Sequence, residues 1–155
     1  MSTSWDIYHR HGAVITELVT HAEQTGNYES PWAYNPSVVA EFGDVAQILR
    51  ELHHRWYSAL TGAVSNAIEG GEDDLRTDVL HAFRAVVVRH KGLRRILEAN
   101  EHHPAIAPLM RTERAMLTAA AGLHHAIDLP RAESVFPMQR PRQSFWNRLL
   151  VGATA

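Results

Sequence analysis

The chain has 155 residues, 15 Lys and Arg against 17 Asp and Glu, and a formal charge of −2. With 45% apolar residues it is long enough to bury one sizeable core, and it is too apolar for a disordered or low-complexity protein. It contains no cysteine, which excludes disulfides, thiolate metal sites and cysteine catalysis, and its near-neutral charge gives no general attraction to phosphate backbones.

Apolar residues spaced by threes and fours predict four helices. The first runs from about Ser4 to Thr25, with Tyr8, Val14, Ile15, Leu18 and Ala22 inward. Gly26-Asn27 ends it, because both residues tolerate the left-handed conformation. A long connection follows and carries Tyr28, Trp32 and Tyr34, aromatics suited to sealing one end of a helical body or covering a small pocket. Asn35-Pro36 then supplies an N-cap and a first-turn proline for a second helix reaching about Glu69. Its stripe is Val38, Phe42, Val45, Leu49, Leu52, Trp56, Leu60 and Val64, and Gly43 or Gly62 are the points where it would bend or be interrupted.

Gly70-Gly71 breaks the chain, and Glu72, Asp73 and Asp74 suit the positive end of a third helix, Leu75 to about Asn100. Its inward residues are Leu75, Val79, Phe83, Val86, Leu93 and Leu97, and Gly92 is a mild weakness within it. The fourth helix spans about Pro104 to Asp128, with Ile106, Met110, Leu117, Ala120 and Ile127 inward, and Leu129-Pro130 ends it. No stretch reads as a strand. The expected architecture is all-α: an antiparallel four-helix bundle over 1–128, with a long first connection, followed by an extended C-terminal arm over 129–155.

That arm contains Pro130, Pro137 and Pro141, four arginines and one acid. Its end brings Phe145, Trp146, Leu149 and Leu150 beside Arg148, which fits a strap folded back on the bundle or a docking peptide for a partner. No run is long and apolar enough for a membrane span, and the first 25 residues do not resemble a secretory signal, so a soluble, cytoplasmic protein is expected.

Eleven histidines are the compositional anomaly. On a wheel of about 100° per residue, His53 lies at the edge of the second helix's apolar face. The E-x-x-H spacing of Glu51 and His54, which di-iron carboxylate bundles use, points outward and has no second copy. His90 lies about 20° from the centre of the third helix's face, Glu113 falls within about 20° of the fourth helix's face, and His11 continues the stripe of the first. Matching heights along antiparallel rods brings His11, His53, His90 and Glu113 to one level. Three imidazoles and a carboxylate there form an expected site for Zn²⁺, Fe²⁺ or Mn²⁺. The competing expectation is a buried polar layer that fixes helix register, with His90 and Glu113 as a hydrogen-bonded pair. The doublets His102-His103 and His124-His125 read as solvated surface.

Between Arg84 and Arg95 stand five cations, Arg84, Arg89, Lys91, Arg94 and Arg95, with no acid among them. They read as a solvated face, and without interleaved aromatics they do not point to nucleic acid. The chain has no Gly-rich phosphate loop, no G-x-S-x-G and no H-E-x-x-H. The expected function is therefore a non-catalytic binding or interaction protein that assembles as a homodimer, with a protein partner reached through the C-terminal arm. The alternative is a metal-dependent enzyme or sensor using His11, His53, His90 and Glu113.

Overall fold

A computed structural model describes residues 3–71 and 74–137. Among them are six α-helices and two short 3-10 turns, and no strand. The α-helices are α1 (Ser4–Thr25), α2 (Pro36–Phe42), α3 (Val45–Glu69), α4 (Leu75–Arg89), α5 (Lys91–Ala99) and α6 (Ala107–Ala120). None is long and apolar enough to cross a membrane. The all-helical class matches the expectation. The number of helices does not, because two of the four expected rods are broken.

The first break falls at Gly43-Asp44. Gly43 adopts φ 95°, a conformation that side-chain-bearing residues rarely take, and its N–H closes α2 on Val39 O. Asp44 then caps α3, accepting from Gln47 N at 2.8 Å. Gly62, the other expected weak point, lies within an uninterrupted α3. The second break is at His90 (φ −124°, ψ 39°), which ends α4 and starts α5. Gly92 is also more than a weak point. It is buried where α5 meets α1, and an added Cβ there would come within 2.5 Å of the Glu23 carboxylate.

The fourth helix is shorter than its apolar pattern. It stops at Ala120, and Gly122 (φ 66°) turns the chain out of helical geometry. Ile127 is buried nonetheless, because its N–H is held by Thr118 Oγ1 at 3.0 Å. α3 is the central element. It packs most extensively on α4 and also contacts α2, α5 and α6, while α1 lies against α5. Trp56, Phe83, Leu18, Leu49, Leu52, Leu60, Ile96, Leu97 and Leu117 are among the fully buried core side chains. Tyr8 and Leu75, both expected inward, are exposed near the first turns of α1 and α4.

The aromatic connection packs on this core through Tyr28 and Trp32. Asn100 Nδ2 donates to Tyr28 O, and the Arg95 guanidinium lies 4.0 Å from the Tyr28 ring centre. The chain after α6 returns over α5, burying Ala132 and Val135. Phe145, Trp146, Leu149 and Leu150, the apolar side chains expected in the end of the arm, lie outside the described residues.

Candidate functional site

Among the described residues five charged or titratable side chains are nine-tenths or more buried. Asp78 lies in the first turn of α4, and the other four come from three helices: His53 of α3, Arg94 and Glu98 of α5, and Glu113 of α6. Burying such groups is costly unless they find partners of opposite charge and matching geometry. Here these four find one another. Arg94 Nη1 donates to Glu113 Oε1 at 2.6 Å, and Arg94 Nε donates to Glu98 Oε1 at 3.0 Å. Trp56 Nε1 donates to the other Glu113 oxygen at 3.0 Å. The same indole presents its face to the Arg94 guanidinium, 4.8 Å away, and Phe83 offers a second ring at 5.2 Å.

The layer continues outward into the C-terminal segment. Both Glu98 oxygens accept from Ala132 N at 3.1 Å, and Arg131 Nε lies 3.6 Å from Glu98 Oε2. Arg131 Nη1 then donates to Glu101 at 3.0 Å. Arg94 is thus shared between two carboxylates. The excess negative charge is met by the indole, the Ala132 amide and the half-exposed Arg131.

His53 is the least satisfied member. Its Nε2 lies 3.4 Å from Glu113 Oε2, close enough for an ion pair but too poorly aligned to give that buried nitrogen a formed hydrogen bond. Its ring stacks on Tyr57. Burial pushes the Glu113 carboxyl up, but the adjoining His53 and Arg94 side chains together outweigh burial and hold it below the usual carboxylate range. Glu113 is therefore an anion near neutral pH, with each oxygen already taken.

The structure brings two of the four expected metal ligands together, His53 and Glu113, and leaves the other two apart. His11 sits at the α1–α2 contact, with its ring 4.5 Å from Phe42 and Nε2 3.5 Å from Glu41 Oε1. His90 is the junction of α4 and α5, half-buried beside Arg89. Its imidazole is held below its usual pKa first by burial and then by that arginine. Equal heights hold only for unbroken rods, and both breaks change the levels. Among the described residues no group of three or more His, Asp or Glu is placed to hold a metal ion. The expected His90–Glu113 pair is likewise replaced, because the cation beside Glu113 is Arg94.

Arg94 is the functional residue that the apolar pattern missed. It stood in a basic run, but the Arg94-x-x-x-Glu98 spacing is that of a helical ion pair, and Glu113 on an apolar face needs a counter-charge. A cleft of about 260 Å³ opens beside the layer, with Arg94, Glu98 and Glu113 on its inner wall and Arg111 and Arg114 among its outer residues. The carboxylates facing it are already engaged, and no nucleophilic hydroxyl joins them.

No family model matches the chain, and neither a curated protein nor a solved structure matches it.

Proposed function

We propose that the chain is a non-catalytic helical-bundle binding protein that works through its surface, as a homodimer and with a protein partner reached through the C-terminal segment. One observation carries this reading: both carboxylates of the buried layer are closed on partners within the chain. Glu113 accepts from Trp56 and Arg94, and Glu98 accepts from Arg94 and Ala132. A general acid or base must have a free oxygen or nitrogen facing a substrate, and a metal ligand must turn a lone pair towards an ion. Here a guanidinium occupies the place beside Glu113 that a metal cation would need. The layer then serves to fix the register of α3, α5, α6 and the C-terminal segment.

The metal-dependent alternative rests on the His53–Glu113 contact. Elemental analysis of protein made without a histidine tag separates the two readings. The proposal expects no stoichiometric Zn, Fe or Mn, and expects Glu113→Gln to lose stability while keeping its oligomeric state by sedimentation. Stoichiometric metal that disappears in His53→Ala overturns it.

A further inference from the structure

The basic run from Arg84 to Arg95 has five cations, and three of them are accounted for inside the fold. Arg94 is in the buried layer. Lys91 Nζ donates to Val135 O at 2.9 Å and lies 5.0 Å from the Phe136 ring centre. Arg95 rests on Tyr28. Arg84 and Arg89 are exposed, and neither forms an ion pair with a described residue.

Both line one groove. It measures about 730 Å³ and runs between α4 and the C-terminal segment, with Ala85 and Val88 on one wall and Val135 and Phe136 on the other. No acid lines it among the described residues. On α4, Ala85 and Val88 are neighbours at a spacing of three. Arg84 and Arg89 fall to either side of that apolar strip, about 140° apart on the wheel. The far wall is fixed. Lys91 holds Val135 O, Glu98 holds Ala132 N, and Val135 and Ala132 are buried. Phe136 is nonetheless 72% exposed, the largest exposure of any large apolar side chain described. An immobilised segment that presents an aromatic ring to solvent, beside two arginines with no ion pair among the described residues, has the chemistry of a docking site.

We propose that this groove binds an acidic amphipathic segment of a partner protein, one whose apolar stripe is flanked by Asp or Glu on both sides. The apolar stripe would cover Ala85, Val88 and Phe136, and its carboxylates would meet Arg84 and Arg89. Charge complementarity selects this occupant. The chain's own residues 138–155 carry Arg140, Arg142 and Arg148 and no acidic side chain, so their sequence does not supply the carboxylates that Arg84 and Arg89 call for. The inference rests on the interaction reading above and names the chemistry of the partner.

The test uses the full chain and three labelled probes: a synthetic Leu/Glu amphipathic peptide, the same peptide with Lys for Glu, and dodecanoate. Fluorescence anisotropy is expected to show saturable binding of the Leu/Glu peptide alone, weakening as salt is raised. Arg84→Glu with Arg89→Glu should weaken that binding at least about tenfold and allow the Lys peptide to bind. Phe136→Ala should weaken both. Both exchanges are on the surface, and circular dichroism confirms the fold. The proposal is overturned by equal binding of the two peptides, by dodecanoate binding without peptide binding, by affinity unchanged in the charge-reversed variant, or by no binding at all. Any of these from metal-free protein defeats the groove assignment only. Stoichiometric metal lost in His53→Ala defeats the broader reading whatever the peptides do.

Discussion

Arg94 and Arg89 stand five residues apart in the same basic run and meet opposite fates. Arg94 is buried between two aromatic rings and two carboxylates, and its neighbours are arranged around it. Arg89 is exposed on the wall of an apolar groove and has no ion pair among the described residues. The break at His90 separates them: Arg89 ends α4 on its exposed side, and Arg94 lies on the buried face of α5. The comparison teaches that a cation's role follows from whether its partners are already in the chain. Where they are, the charge holds helices together. Where they are missing, it is available to something else.

If that division is right, substitutions should separate cleanly into large effects in the layer and small ones in the groove. The largest effect is expected for Arg94→Met, which strands Glu113 and Glu98 without their shared cation. Unfolding in urea should show a loss of about 3–5 kcal/mol. Truncation after Asp128 comes next. It exposes the surface that Val135 covers and takes the Ala132 donor from Glu98, for a loss of about 2–3 kcal/mol. Trp56→Phe keeps most of the packing but removes the N–H that Glu113 Oε2 accepts, for about 1–2 kcal/mol by the same measurement. Arg84→Ala and Arg89→Ala should each change stability by less than about 0.5 kcal/mol. If they destabilise as much as the layer substitutions, the comparison fails.

Acid titration sharpens the same contrast. Glu113 ionises more readily in the fold than in the unfolded chain, where the ordinary carboxyl value is 4.5. As pH falls, the unfolded chain takes up this proton first. The contribution of Glu113 is therefore complete above the ordinary value and is lost as pH drops through its lower folded value. Thermal midpoints measured across that range should fall less steeply for Glu113→Gln than for the parent, and a parallel decline would contradict the assignment.

Much of this organisation was legible in the sequence because caps and apolar spacing are local. The bounds of α1, the Asn35-Pro36 start of α2 and the inward positions of Leu18, Trp56, Phe83 and Leu117 all follow from near neighbours. Gly43 is a weak point visible in the sequence, and Asp44 beside it is the N-cap that turns a bend into a break. The His90 break had no comparable signal, since a β-branched run and a continuous apolar stripe both favoured one long rod. Wheel phase and height hold only along an unbroken helix, so the breaks at Gly43 and His90 part His11 and His90 from His53 and Glu113. Glu113 was placed correctly inward because its position depends only on α6. Its counter-ion was not found, because pairing Arg94 with Glu113 depends on how α5 packs, which no local pattern encodes.

The central claim is that Arg94 and Glu113 form one closed unit in the core. A double-mutant cycle of Arg94→Met, Glu113→Gln and the combined variant, followed by urea unfolding, tests it most directly. The account predicts that the combined variant loses about 1–3 kcal/mol less than the sum of the single losses, because removing both charges leaves neither stranded. Losses that add to within about 0.5 kcal/mol would show two independent groups and contradict it.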